Sequence, residues 1–493
     1  MSDTTSGSLH VPHVAVAVLA AGHGTRMRSD TPKHLHAVAG VPIVERVIRA
    51  GLEVQPDDTV VVVSPAMANL PERLSMEGQF EVTVQESPQG TAAAVQQALS
   101  VIADDRCDWL ISLLGDSPLL TGEVVQRLLK ESVESGALVS ILTCLLPSGS
   151  TYGRIARDEH GRAVKIVEAR NDLPESRAGP TEINSGIMVL NAHWARQALR
   201  RLERDPETQE FLLTDLVDLA LNDHQGDGWP VITVVGDPSV AQGVNDRRQL
   251  AEADDVLRSR VRDRHTANGV TIVGRETVFI DDEVEIGPDS VIMPFSVLTG
   301  RTRIGARCRI GPHAVLHDAV LEDSATVQSS TITESVVGRN SEVGPYAHLR
   351  GGTSIGEHVH VGSYAEMKGV RVGNDSKVGH FSYLGDATLG QRVNIGAGTV
   401  TANYDGQHKH ATVIGDDVFV GSDSVLVAPA TLEHGARTGA GSVVTKPVAA
   451  GSLVVGVPAR PVMRDPAPLS PDGQAQPLHN AESVGSADTP QKE

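Results

Sequence analysis

The first apolar run of this chain closes in Leu19-Ala20-Ala21-Gly22-His23-Gly24-Thr25-Arg26-Met27, and Pro32-Lys33 follows within a few residues. A Gly-rich turn directly after a strand lets backbone N–H groups approach phosphate closely, while Arg26 and Lys33 can neutralise charge on a polyphosphate. Taken alone, Gly-x-Gly reads equally as a tight turn flanked by solvated basic residues. Leu114-Gly115-Asp116 ends a second apolar run. There a carboxylate could hold Mg²⁺ against phosphate oxygens, or simply begin the next turn. Far downstream stand His380, within Gly379-His380-Phe381-Ser382-Tyr383-Leu384-Gly385-Asp386, and the segment Thr401-Ala402-Asn403-Tyr404-Asp405-Gly406. Neutral imidazole is suited to taking the proton from an attacking amine near neutral pH, although one His among 19 is usually just exposed.

Two kinds of pattern must position these residues. From Val14 to about Val244, apolar runs such as VAVAVLAA, TVVVV, WLISLL and VITVV alternate with helical stretches at Pro42–Gly51, Thr91–Ile102 and Gly122–Glu134. That alternation predicts a doubly wound α/β domain, which binds ligands at the carboxyl ends of its strands. From Asp246 to about His265 the chain is charged and free of Gly and Pro, and reads as a connecting helix. After it, aliphatic residues recur every six positions: Ile286, Ile292, Leu298, Ile304, Ile310 and Leu316, then Val337, Val343, Leu349, Ile355, Val361 and Met367. The beat resumes at Val372, Val378 and Leu384, at Leu389 and Ile395, and at Ile414, Val420, Leu426 and Leu432. A six-residue period belongs to a parallel β-helix, here expected to be left-handed, and its interruption between Thr401 and Val413 predicts a surface loop on a binding face. Such a prism serves either as an acyltransferase or purely as an oligomerisation scaffold.

The expected organisation is therefore a disordered lead-in over 1–12, an α/β domain over 13–245, a linker helix over 246–267, a β-helix over 268–463 and a disordered tail over 464–493. Lys plus Arg number 42 against 62 Asp plus Glu, a formal charge of −20. Nothing in that balance favours nucleic acid or an anionic membrane, whereas small anions at local basic sites remain compatible. The three cysteines show no metal-ligand spacing, and the longest early apolar run is too short to span a bilayer, so a cytoplasmic setting is expected.

The string L-A-A-G-x-G-T-R-M-x-x-x-x-P-K resembles the signature of sugar-1-phosphate nucleotidyltransferases. With Gln85, Gly90-Thr91, Tyr152-Gly153-Arg154-Ile155, Glu168, Glu182-Ile183-Asn184-Ser185-Gly186 and Gly243-Val244-Asn245, the first half is similar to the uridyltransferase half of the bacterial bifunctional N-acetylglucosamine-1-phosphate uridyltransferase/glucosamine-1-phosphate N-acetyltransferase family. The strings around His380, Val393-Asn394-Ile395-Gly396-Ala397-Gly398 and Asn403-Tyr404 resemble its acetyltransferase half, in the same domain order. The resemblance implies UTP and acetyl-CoA as co-substrates, Mg²⁺, sugar phosphates as the other substrates, and a homotrimer with active sites between subunits.

It also carries roles to particular residues. Leu19, Ala20, Ala21, Gly22, Lys33, Leu114 and Gly115 would line the nucleotide site, with Arg26 and Lys33 catalytic. Gln85, Gly90 and Thr91 would face uracil, Gly153, Glu168 and Asn184 the sugar, and Asp116 with Asn245 would bind the metal. His380 would be the acetyltransfer base and Arg350 and Lys368 the phosphate cations. Tyr383 and Asn394 would hold the sugar, and Asn403 and Tyr404 the acetyl group and amine. Ala397, Ser422 and Ala440 would touch acetyl-CoA, and Lys409 would add charge across a subunit boundary. Two departures stand out. Ala92-Ala93-Ala94 replaces the usual Gly-His-Ala, putting base selectivity in question, and His34 occupies a site more often apolar, reading as surface or satisfied core.

Overall fold

A computed structural model describes residues 12–22, 24–74, 76, 79–87, 89–147, 152–171, 179–225 and 228–462. The expected lead-in (except residue 12) and tail, together with His23, lie outside the described residues. The chain forms two compact units, the first ending at Glu357 and the second beginning at His358.

In the first unit, β1 (Val14–Ala20) is an interior strand of a twisted sheet. It pairs in parallel with β2 (Asp58–Val63), aligning Ala17 with Val60, and with β4 (Trp109–Leu114), aligning Ala17 with Ser112; β3 (Glu81–Val84) forms the edge beyond β2. On the other side come β8 (Thr181–Asn191), β5 (Val139–Leu146) and β9 (Val231–Gly236), with β6 (Arg154–Arg157) and β7 (Ala163–Val167) as an antiparallel flap on β8. Strand β8 runs antiparallel to both neighbours, so the sheet is mixed, a feature that alternating strand and helix patterns do not reveal.

Why β1 sits in the interior of the sheet is plain from its sequence. Successive side chains point to opposite faces, and Ala15, Ala17 and Leu19 enter one apolar cluster while Val16, Val18 and Ala20 enter another. A run that is apolar at every position can be buried only with helices on both sides. Helices α1 (Ile43–Leu52), α2 (Thr91–Val101) and α3 (Gly122–Ser135) provide that cover. Cys107, Cys144 and Cys308 are buried and unpaired, with burial pushing the Cys107 thiol up to about 12. They are packing residues.

The charged segment forms a 21-residue helix, α6 (Arg247–Ala267), following α4 (Ala192–Ala198) and α5 (Leu216–Asp223). Its start is fixed by reciprocal capping: Asp246 Oδ1 accepts from the Gln249 N–H at 2.8 Å, while Gln249 Oε1 accepts from the Asn245 N–H at 2.8 Å. Among the described residues, no helix is long and apolar enough to cross a membrane.

The repeats form stacked parallel strands of a left-handed β-helix. In the first unit, Ile286, Ile304, Leu321, Val337 and Ile355 stack in one column, and Leu298, Leu316, Ile332 and Leu349 in another. In the second, Val361, Val378, Ile395 and Val420 stack on one face and Val372, Leu389, Ile414 and Leu432 on another. All the aliphatic positions read from the sequence beat are buried. Leu321, Val327 and Ile332 continue the same core across the stretch where the beat seemed to lapse. There the spacing shortens to five in places, so a coil side loses one residue while its inward position is kept.

Candidate active sites

The nucleotidyl-type residues meet at the carboxyl ends of β1 and β4. The Gly115 N–H donates to Leu19 O at 2.9 Å and the Val244 N–H to Asp116 O at 2.8 Å, drawing both strand ends to the start of α6. The buried Lys33 ammonium donates to Asp116 Oδ2 at 2.6 Å and to Asn245 Oδ1 at 3.2 Å, and Arg26 Nη2 donates to the same Asn245 oxygen at 3.1 Å. Two oxygens from segments far apart in sequence thus converge on one positive charge. One anionic and one neutral oxygen are hard donors that suit a divalent cation sharing its remaining positions with phosphates. No cluster of three or more His, Cys, Asp or Glu able to hold a metal occurs among the described residues.

Beside this pair lies a cavity of about 320 Å³ lined by Leu19, Ala21, Gly22, Lys33, His34, Gln85, Gly90, Thr91, Ala94, Leu114, Asp116 and Glu210. Most of the predicted nucleotide residues therefore share one space; Ala20 is buried behind it. Gly90, with φ of 99°, is the N-cap of α2, and a Cβ there would stand 2.4 Å from Phe211 O. Thr91 Oγ1 accepts from the Leu213 N–H at 3.2 Å, tying the loop to the same segment. The sugar-side residues gather on the flap. The Asn184 N–H donates to Gly153 O at 2.8 Å, a Cβ on Gly153 would lie 3.7 Å from Glu168 Oε2, and Glu168 Oε1 accepts from Thr214 at 3.0 Å. Sequence reasoning missed Glu210 and Thr214, which come from a segment with no motif, and gave Ala94 no role although it lies in the nucleotide-side motif.

His34 overturns its expectation. It is buried at 2% exposure rather than on the surface, and its Nδ1 has no hydrogen-bond partner among the described residues.

In the second unit, His380 follows the strand Lys377–Val378 at an exposed coil corner. The Ser363 N–H donates to its Nδ1 at 3.1 Å, so the neutral ring carries its hydrogen on Nε2. The ring fits because residue 362 is Gly, where a Cβ would be 2.8 Å from Nδ1. Register aligns His380, Ala397, Ser422 and Ala440 in one column along that corner. Carbonyls of the first three accept in turn from the N–H of Gly398, Asp423 and Gly441 at 2.7–2.8 Å. Small residues thus make a low edge running from His380. Arg460 lies beyond the last coil, on a strand antiparallel to Leu453–Val455 and opposite Val455.

The interrupting loop leaves the prism at Thr401, which takes an inward position above Leu384 and bonds the Gly385 N–H at 2.7 Å through its hydroxyl. Asn403 Nδ2 donates to Asp386 Oδ2 at 2.6 Å, and a Cβ on Gly385 would stand 2.7 Å from both Asn403 Nδ2 and Tyr383 Oη. The Asp386 N–H donates to Lys368 O at 3.0 Å, so Lys368, Tyr383 and Asn403 are neighbours. Asp386 is the positioning residue that sequence reasoning did not assign. Within the loop, Asp405 accepts from Gln407 N, His408 N and His410 Nε2, bonds that hold its carboxyl well below the usual range; Tyr404, 61% exposed, pairs with Lys409 across the hairpin. Asn394 lies on the face before the His380 corner, between Lys377 and Phe419, and Tyr383 on the face after it. Arg350 ends a strand of the first unit, His348–Arg350.

A strand-end site with convergent cation and carboxylate, joined to a hexapeptide prism with a corner histidine, defines a nucleotidyltransferase fused to an acyltransferase-type β-helix. Comparison with known proteins agrees. Residues 16–178 match a MobA-like NTP transferase domain, residues 274–373 a GMPPB C-terminal domain, and residues 411–446 a hexapeptide repeat of succinyl-transferase. "Bifunctional protein GlmU" of Trichlorobacter lovleyi is 40% identical over 442 residues, covering 90% of this chain and 95% of the relative. Those of Carboxydothermus hydrogenoformans and Synechococcus elongatus are each 40% identical, over 438 and 443 residues, with 96% of each relative covered. The chain belongs to the bifunctional GlmU family, and is an enzyme with uridyltransferase and acetyltransferase activities.

Proposed function

We propose that the chain acetylates glucosamine-1-phosphate with acetyl-CoA in its β-helix (268–463) and transfers UMP from UTP to the resulting N-acetylglucosamine-1-phosphate in its α/β domain (13–245). The products are UDP-N-acetylglucosamine, for envelope synthesis, and pyrophosphate. The observation that carries the first half is the convergence of Arg26, Lys33, Asp116 and Asn245 beside the cavity of Gln85, Gly90 and Thr91.

The sugar phosphate is already an anion and needs no strong base, so uridyl transfer rests on positioning and charge neutralisation. Arg26 and Lys33 neutralise the triphosphate. Asp116 and Asn245 would hold Mg²⁺, which when bound screens the α-phosphate and leaving pyrophosphate. Gly153, Glu168 and Asn184 orient the acceptor sugar.

In acetyl transfer, nitrogen attacks the thioester carbonyl while His380 takes the amine proton, and the C–S bond breaks so that CoA leaves as its thiol on receiving that proton. With the Ser363 N–H on Nδ1, a free lone pair appears only when that contact opens or the hydrogen moves between ring nitrogens, so amine binding at Asn403 and Tyr404 must accompany a small shift of the ring. The edge from Ala397 through Ser422 to Ala440 receives the CoA arm, and Lys368 takes the sugar phosphate. Asn394 and Tyr383 on faces either side of one corner fit a site completed by a neighbouring copy in a cytoplasmic homotrimer.

The test measures both half-reactions on two variants. Asp116→Ala loses UTP-dependent pyrophosphate release and keeps acetylation, and His380→Ala does the reverse; loss of both activities in either variant, with folding intact, refutes the division of labour.

A further inference from the structure

His34 is the feature that the reaction above leaves unused. It sits in a short helical turn, Lys33–Leu35, whose first residue is the ammonium that bridges Asp116 and Asn245. The residue is 2% exposed and lines the cavity together with Lys33, Gln85 and Asp116, and its Nδ1 has no partner among the described residues. Burial, followed by the neighbouring Lys33 charge and opposed by Asp116, lowers the ring to about 4, so it stands neutral with one N–H donor and one lone pair. A buried polar atom without a partner carries a desolvation cost that an apolar side chain of similar size avoids. Keeping an imidazole on the wall of a substrate cavity at that cost makes sense if the side of the ring that lines the cavity gains a partner from the substrate. The groups expected on that side of the cavity, next to Lys33, are the oxygens of a ribose and triphosphate, all of them acceptors.

We propose that His34 is a nucleotide-binding residue, donating a ring N–H to an oxygen of the ribose-triphosphate portion of UTP. The inference rests on the assignment of this cavity to UTP. An apolar residue at this position cannot make the bond, so His34 gives this chain one polar contact to nucleotide beyond those that its signature motif supplies.

The experiment compares wild type with His34→Val and His34→Gln, reading UTP binding calorimetrically with Mg²⁺ and the kcat and KM of pyrophosphate release. Loss of one hydrogen bond raises the KM and Kd for UTP about tenfold in His34→Val, with kcat within about threefold, whereas His34→Gln, which restores a neutral donor, returns both to within about threefold of wild type. Melting temperature and acetyl transfer report folding, and His34→Leu, closer in volume to imidazole, substitutes if Val collapses the cavity. An apolar variant that binds UTP as wild type does and melts higher overturns the inference, since the ring would then be only a buried misfit. Wild-type protein that fails to bind UTP at all overturns the cavity assignment itself.

Discussion

Two glycines of the proposed nucleotide cavity should differ in what an added methyl group does to stability. Gly90 has φ 99° and ψ 172°, a region open essentially to glycine alone, where another residue costs about 1–3 kcal/mol. Its Cβ would also stand 2.4 Å from Phe211 O and 2.8 Å from Phe211 N. Phe211 must move, yet its N–H donates to Gln89 O at 2.8 Å and its carbonyl accepts from the Ala92 N–H at 3.1 Å. Losing one or both of those bonds adds about 1 kcal/mol each. Gly90→Ala therefore destabilises the α/β domain by about 2–5 kcal/mol, lowering its melting transition by roughly 5–15 °C for a domain of this size, and weakens UTP binding because Thr91 and Gln85 flank the displaced loop. Gly22 differs: a Cβ there meets nothing within 4 Å. Gly22→Ala leaves stability within about 0.5 kcal/mol, the usual range for an unconstrained position, but intrudes on the space through which backbone approaches phosphate. Calorimetric melting separates the two glycines, and titration with UTP then shows both variants weakened. Equal melting temperatures would refute the steric argument for Gly90, and unchanged UTP affinity in Gly22→Ala would refute close phosphate approach at the turn.

Chelation of divalent metal with EDTA should abolish pyrophosphate release while leaving acetyl transfer within about twofold, as measured in separate half-reaction assays. Gly362→Ala should push the His380 ring aside, because the new Cβ would stand 2.8 Å from Nδ1, and lower the acetylation kcat by about tenfold or more with little change in either KM. Preference for UTP over dTTP and CTP should survive the Ala92-Ala93 departure, because Ala94 lines the cavity whereas Ala92 is buried and Ala93 faces elsewhere; a broadened nucleotide range in the competition assay would contradict this. Asp386→Ala should free the Asn403 amide and raise the KM for the amino sugar while Asp386→Asn, which keeps an oxygen acceptor, preserves more activity.

What sequence could and could not reveal follows from the range of the interactions involved. The inward ladder from Ile286 to Leu432 was legible because each repeat states its own burial locally. Leu321, Val327 and Ile332 escaped because a strict six-residue period cannot follow a coil that drops a residue while the core column continues. Lys33, Asp116 and Asn245 could be named only through motif resemblance, since nothing in spacing of 83 and 212 residues announces that they meet. Asp386 was missed for the same reason on a smaller scale: Asn403 lies 17 residues on, one coil away, and coil stacking rather than local pattern makes them partners. For His34, sequence could register an unusual residue type but not whether some distant segment satisfies it. The structure answers that none of the described residues bonds Nδ1.

The charge balance gains meaning once the sites are drawn. At −20 the chain as a whole repels polyanions, yet both proposed reactions handle phosphorylated substrates. Around the proposed nucleotide cavity, Arg26 and Lys33 bring two positive charges and Asp116 and Glu210 two negative ones. Lys33 is moreover already engaged with Asp116 at 2.6 Å. A free nucleotide would have to compete for that ammonium, whereas one arriving with a divalent cation gives Asp116 and Asn245 a new partner and releases Lys33 toward phosphate. Under the proposed assignment, the carboxylate that holds Lys33 would favour a nucleotide arriving with a divalent cation, and the pairing of Lys33 with Asp116 would couple metal and nucleotide binding.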